Sequence, residues 1–244
     1  MAVNARKNET EKITFTEVTS ESGLGKFYHD NGSFGEMWFP EQMGSGGGFV
    51  DYNNDSWVDI LLVGGGGWAN HTKRNIKTLW LYKNNKDGTF SEVTEETGLG
   101  FINTYGLGIV TADYDNDGKI DMFITVNGQQ IEDGKGNTIF DANQGKGILL
   151  QNRSKTKNNW IKVRLEGVQS NRDGFGTVVN IQSNNIDQKQ SLVSGQGYFS
   201  NHAKELYFGL GNSDIVDIVE IKWPSGLKQI LKFLNLLESS QLMV

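Results

Sequence analysis

Asp113-Tyr-Asp115-Asn-Asp117-Gly118-Lys119-Ile-Asp121 and Asp51-Tyr-Asn53-Asn-Asp55-Ser56-Trp57-Val-Asp59 are two copies of one acidic loop. Oxygen-bearing side chains stand at positions 1, 3, 5 and 9 of both. That is the odd-position pattern of a Ca²⁺ loop, in which position 7, here Trp57 or Lys119, gives its backbone carbonyl. An EF-hand would place helices on either side. Here each loop lies between short apolar runs, so it reads as the connection of a β-hairpin. The chain is expected to be all-β, with two Ca²⁺ ions clipping its hairpins.

The second loop is the stronger candidate. Asp113, Asp115, Asp117 and Asp121 place four carboxylates on one turn, which repel one another unless a cation lies among them. Gly118 permits the sharp turn after position 5. In the first loop Asn53 replaces one Asp and Ser56 replaces the Gly. It is expected to bind more weakly. Asp, Asn and Gly also favour turns without any metal, which is the simpler reading of both loops.

Composition bounds the function. The 244 residues hold 23 Lys and Arg against 29 Asp and Glu, a formal net charge of −6. A nucleic-acid binder needs a basic face, so nucleic acid is not an expected partner. The absence of Cys removes disulfides and thiol chemistry. With 31 Gly and 2 Pro, the composition suits many tight turns. No apolar run is long enough to span a bilayer, so membrane insertion is not expected. The first residues are polar and lack a signal-peptide core. Either the protein is cytoplasmic or a signal has been removed.

The repeat extends beyond the loops. Phe15-Thr-Glu-Val18-Thr-Ser-Glu-Ser-Gly23-Leu24-Gly25 recurs as Phe90-Ser-Glu-Val93-Thr-Glu-Glu-Thr-Gly98-Leu99-Gly100. Each copy leads to a glycine-rich strand, the acidic loop, a second strand and a third. Close strand spacing of this kind predicts an array of blade-like β units. The first copy holds 13 more residues between its landmarks: Phe15 and Phe90 lie 75 apart, Asp51 and Asp113 only 62. The excess falls in the aromatic segment 26–41. Tyr28, His29, Trp38 and Phe39, joined by Trp68 of the next long loop, form the candidate contact surface. The competing reading is that these aromatics cap an open end of the array.

From about residue 158 the pattern changes to clean alternation, as in Trp160-Ile-Lys-Val163-Arg-Leu165. The expected organisation is a tail (1–12), a repeat region with two calcium loops (13–153), a linker (154–159) and a small β-sandwich-like domain (160–244). Arg172 and Asp173 read as a turn-stabilising ion pair ahead of Gly174.

The segment from Gly48-Phe-Val-Asp51 through Leu81-Tyr-Lys-Asn-Asn85-Lys-Asp-Gly88-Thr-Phe90-Ser-Glu-Val93-Thr94 resembles the FG-GAP, or VCBS, repeats. The later motifs Ser170-Asn-Arg-Asp-Gly-Phe-Gly176, Gly195-Gln-Gly197-Tyr198, Leu206-Tyr-Phe-Gly209-Leu-Gly211 and Trp223-Pro-Ser-Gly226 resemble the ASPIC/UnbV domain. The pairing is similar to that of bacterial relatives of cartilage acidic protein. The resemblance implies calcium-bearing propeller blades, an extracellular or periplasmic location, and a binding, adhesion or scaffold role toward a protein or carbohydrate ligand. It also leaves open a calcium-dependent enzyme of natural-product cyclisation or glycan metabolism. The chain shows no His-Glu-x-x-His helix, Gly-x-Ser-x-Gly elbow or phosphate-binding loop.

Only two metal-loop units precede the second domain, so the propeller-like array is incomplete. The second unit lacks the Phe-x-x-Val-Thr strand that should finish it. The unattached copy at Phe15–Thr19 could supply that strand, from within the chain or from a neighbour in a homo-oligomer.

Overall fold

The computed structural model describes residues 14–29, 44–65, 77–102, 104–126, 129–132, 138–141, 146–196, 201–236 and 241–244. The contact candidates Trp38, Phe39 and Trp68 lie outside these residues.

The protein is all-β, with no α-helix among the described residues. The first unit is a four-stranded antiparallel sheet of β1 (Gly47–Val50), β2 (Asp59–Val63), β3 (Leu79–Asn84) and β4 (Phe90–Glu92), in that order. A 3₁₀ turn at Leu99–Phe101 leads to the second unit. There β5 (Gly106–Ala112), β6 (Asp121–Val126) and β9 (Ile148–Leu150) form a three-stranded sheet among the described residues, in the order β5-β6-β9. A separate hairpin of β7 (Gln129–Glu132) and β8 (Thr138–Asp141) lies between β6 and β9 in sequence. The acidic loops join β1 to β2 and β5 to β6, as expected of hairpin connections.

Both units fill one core. Leu61 and Val63 of β2, Leu79 and Leu81 of β3, and Ile109, Met122 and Ile124 of the second unit pack together. One face of each sheet carries this core, while Phe49 of β1, Phe123 of β6 and Leu149 of β9, on the alternate face, are exposed. Among the described residues neither sheet closes into a barrel, consistent with an incomplete propeller-like array.

The remaining strands form a sandwich with its own core. One sheet has the order β12 (Ile186–Ser191), β11 (Val178–Ser183), β14 (Ile215–Lys222), β15 (Lys228–Asn235). The other is β13 (Glu205–Gly211), β10 (Asn159–Arg164), β16 (Gln241–Met243), with β16 parallel to β10. Alternate residues such as Ile161, Val163, Val179, Ile181, Phe208, Val219 and Ile221 meet between the sheets. This is the inward-facing half of a period-two pattern.

Two local expectations change. Arg172 and Asp173 pair outward rather than with each other: Arg172 lies 3.5 Å from Glu166, and Lys204 lies 2.8 Å from Asp173. Of the aromatic segment, Phe27 packs edge-on against Trp80 of β3 with ring centroids 6.0 Å apart, so it covers the first blade. Tyr28 is 59% exposed.

Candidate metal centre

The two loops adopt one backbone. Asn54 and Asn116, at position 4, have φ of 57° and 59°, and position 6 is left-handed in both, with φ of 76° at Ser56 and 84° at Gly118. Left-handed backbone costs a residue with a Cβ about 1–2 kcal/mol. The first loop therefore carries a strain at Ser56 that Gly118 avoids.

The position-9 carboxylates do the same job in each blade. Asp59 accepts N–H bonds from Tyr52 at 3.3 Å and from Asn84 of β3 at 2.8 Å. Asp121 accepts from Tyr114 at 3.1 Å and from Asn152 at 2.7 Å. The Asn84 and Asn152 side chains donate back to the Val58 and Ile120 carbonyls at 2.9 and 3.0 Å. This reciprocal clasp between the loop and the end of the third strand was not found from the sequence. Its signal was an Asn following each third strand.

The loops differ where a cation would sit. In the second, carboxylate oxygens of Asp113, Asp115 and Asp117 lie within 4.8 Å of one another. Asp113 is 6% exposed, and its Oδ1 is buried without a hydrogen-bond partner. Its Oδ2 accepts the Gly118 N–H at 3.2 Å. An orphan buried carboxylate oxygen costs on the order of 1–3 kcal/mol or more, and a cation beside it removes that cost. In the first loop, Asp51 has both oxygens occupied, by the N–H groups of Asp55 and Ser56, each at 2.9 Å. An ammonium stands at the position-5 carboxylate of both loops, Lys86 3.3 Å from Asp55 and Lys119 2.5 Å from Asp117, so these ion pairs do not separate the two. The residues of the second loop thus fit a divalent cation better than those of the first.

Burial disfavours the ionised form of these acids. It pushes Asp51 up to about 6 and Asp59 up to about 7. It also raises Asp113 and Asp121 above the ordinary carboxylate value. A bound cation would reverse that direction by favouring the anions.

The sandwich grips both loops. Asn54 donates to the Gly118 carbonyl at 2.9 Å, tying one loop to the other. Gly211 N–H meets the Asn54 carbonyl at 2.9 Å, and Ser56 Oγ donates to the Gly209 carbonyl at 2.9 Å. Lys162 Nζ donates to Asn116 Oδ1 at 2.8 Å, and Asn158 to the Asn53 carbonyl at 3.0 Å. The approach is close: a Cβ on Gly209 would lie 2.1 Å from Asp51 Oδ2, and one on Gly118 1.9 Å from Trp160 Nε1. None of these sandwich residues was legible as a loop contact in the sequence.

His202 forms a further joint. The Thr111 N–H donates to its Nδ1 at 3.0 Å, and Thr111 Oγ1 lies 2.8 Å from the same atom. Nδ1 therefore keeps its lone pair and the ring is neutral. Burial pushes its pKa below the ordinary histidine value. A base with a lowered folded pKa contributes fully above its unfolded pKa, near 6.5, and loses that contribution as pH falls below it. The wild-type melting temperature should therefore fall more between pH 7.5 and 5.5 than that of His202→Gln, at fixed calcium. Equal falls would contradict this assignment.

His29 of the contact candidates accepts at Nδ1 from the Gly65 N–H at 3.5 Å and lies 3.0 Å from Ser45 Oγ. It is thus tied to the end of β2, not presented freely.

The fold and the loops define a class: an all-β protein of stacked blades with acidic hairpin turns, clamped by a β-sandwich. Two family profiles agree with it. The FG-GAP-like repeat matches residues 51–124, and the family described as ASPIC and UnbV matches residues 167–241. The chain carries an FG-GAP-like repeat followed by an ASPIC/UnbV domain, the architecture the motifs indicated. No curated protein matches it in sequence.

Proposed function

We propose that the protein is a calcium-clipped binding module, whose blades and sandwich together present a surface to a protein or glycan partner. The observation that carries the metal assignment is the convergence of Asp113, Asp115 and Asp117 around the unpartnered buried Oδ1 of Asp113. Calcium there would be held by Asp113, Asp115 and Asp117, with Asp121 and the Lys119 carbonyl completing the loop's donor set. The same positions in the first loop are Asp51, Asn53, Asp55, Asp59 and Trp57. The ion's role is structural: it neutralises the loop and so fixes the hairpin against the sandwich. An extracellular or periplasmic location, where weak calcium sites are filled, suits this reading.

The binding role draws support from the FG-GAP-like repeat, a type of module that commonly engages proteins. It also draws on the cleft between blades and sandwich. This opening of about 430 Å³ is lined by Phe49, Val58, Gln188, Gln190, His202 and Tyr207, among others. Phe49 is exposed on β1. An exposed ring beside amide side chains offers a stacking face together with hydrogen-bonding groups, and ligand sites favour such inter-module clefts. A screen of immobilised glycans and peptides, with calcium and with chelator, tests the reading. Phe49→Ala should weaken any retained ligand at least tenfold, the scale of an aromatic anchor, with the melting temperature unchanged. Unaltered retention by that variant would exclude the cleft as the contact surface.

A further inference from the structure

The two blades are unequal in one respect. In the first, β4 seals β3 in the register Tyr82↔Glu92, Lys83↔Ser91 and Asn84↔Phe90. Val93 N–H continues the ladder onto the Leu81 carbonyl at 2.8 Å, and Leu81 N–H donates to Thr94 Oγ1 at 3.0 Å. In the second blade the equivalent of β3 is β9. Leu150 takes the place of Tyr82 opposite the residue after the position-9 Asp. Among the described residues no strand pairs with the outer edge of β9. Leu149 is 53% exposed there. Beside this edge lies an open slot of about 640 Å³, lined by Leu81, Thr97, Gly98, Met122, Leu150 and Gln151, among others. The sandwich packs on the loop end of the blades and leaves this slot open.

A strand of the right sequence is left over. Phe15-Thr-Glu-Val18-Thr19 repeats Phe90-Ser-Glu-Val93-Thr94, yet it joins no ladder among the described residues, and Phe15 is 96% exposed. The turn that follows it is nevertheless folded as its sister is. Ser22 N–H bonds the Val18 carbonyl as Thr97 N–H bonds that of Val93, at 2.8 and 3.1 Å. Gly23 and Gly98 share φ values of 83° and 80°. The Ser22 carbonyl accepts the N–H of Phe90, the first residue of β4, at 2.8 Å. In the second blade the matching acceptor is the Thr97 carbonyl, at the mouth of the slot. That bond holds the turn after the segment against β4 of the first blade, and no residue of 14–29 lines the slot.

We propose that Phe15–Thr19 of one copy adds to β9 of a second copy and completes its second blade. The repeat fixes the register: Phe15 opposite Asn152, Thr16 opposite Gln151, Glu17 opposite Leu150. Phe15 N–H then meets the Thr97 carbonyl, and Val18 N–H the Leu149 carbonyl. Main-chain bonds supply the affinity and the slot supplies the specificity, as in other strand additions. Donor and acceptor surfaces differ, so the contact is head-to-tail, giving a ring where the rotation between copies closes and an open chain of copies where it does not.

Sedimentation of the full chain at tens of micromolar, with calcium, should give at least twice the monomer mass. Thr16→Pro removes an N–H from the proposed ladder, and residue 16 is exposed and unpaired in the single chain. This variant should sediment as a folded monomer. The chain has no Cys, which permits a direct check of register. Glu17→Cys and Leu150→Cys, mixed as separate variants under mild oxidation, should give a disulfide-linked dimer several-fold above either variant alone. Facing cross-strand residues are close enough for that bond. A monomeric wild type, or an oligomer unchanged by Thr16→Pro, would overturn the proposal. So would cross-linking no greater in the mixture, or an intrachain disulfide in monomers of a chain that carries both Glu17→Cys and Leu150→Cys.

Discussion

Chelation should lower the melting temperature of this protein by roughly 5–10 °C per site emptied. A site with a dissociation constant near 10 μM in millimolar Ca²⁺ contributes about 2.7 kcal/mol. A chain of this length loses about 2–4 °C for each kcal/mol. The physical cause is local. Without a cation, Asp113 keeps a buried oxygen with no partner, and burial disfavours its charge. The two loops should not contribute equally. The second has four carboxylates, three converging oxygens and an unpartnered Asp113 Oδ1; the first has three carboxylates, and both oxygens of Asp51 are already bonded to backbone N–H groups. Titration calorimetry should show two binding steps in the wild type. Asp117→Ala should abolish the tighter one, and Asp55→Ala only the weaker. Identical melts with and without chelator would remove calcium from the account. A tighter step that survives Asp117→Ala would reverse the ranking.

Gly118→Ala should cost about 2–5 kcal/mol, more than a left-handed glycine alone explains. Two separate effects add. A φ of 84° charges any residue with a Cβ about 1–2 kcal/mol. The new methyl would also fall 1.9 Å from Trp160 Nε1 on β10, and such overpacking costs roughly 1–3 kcal/mol. Gly226 provides the control. Its φ is 87°, yet a Cβ there meets nothing within 4 Å. Gly226→Ala should therefore lose only the conformational part. The difference between the two variants in denaturant melts measures how firmly the sandwich presses on the second loop. Equal losses would mean that Trp160 yields freely and that the modules are not clamped at this point.

Much of this architecture was legible because it rests on short-range rules. Odd-position oxygens between apolar runs can only be a hairpin loop if strands flank it, and both loops join paired strands. Alternation from Trp160 onward placed one side of each strand in a core, and the sandwich buries those residues. The repeat of Phe-x-x-Val-Thr identified a strand missing from the second blade, and β9 indeed ends its sheet unpaired among the described residues.

What the sequence alone determined was therefore periodic or local: the strands, the two acidic hairpin loops, the change of pattern after the repeats and the uneven blades. The tertiary structure decided which donors converge. Asn53 at position 3 already removes one carboxylate from the first loop, but the fold decides the rest: a backbone N–H occupies Asp51 Oδ1, while the matching Oδ1 of Asp113 is left without a partner beside Asp115 and Asp117. It also decided what holds the loops. Gly209, Gly211, Lys162 and Asn158 are more than a hundred positions from the first loop or tens from the second, and no spacing rule links them. Contacts of that kind depend on how one module's surface fits another's, and that fit is fixed by shape and unpaired backbone groups once both cores have formed.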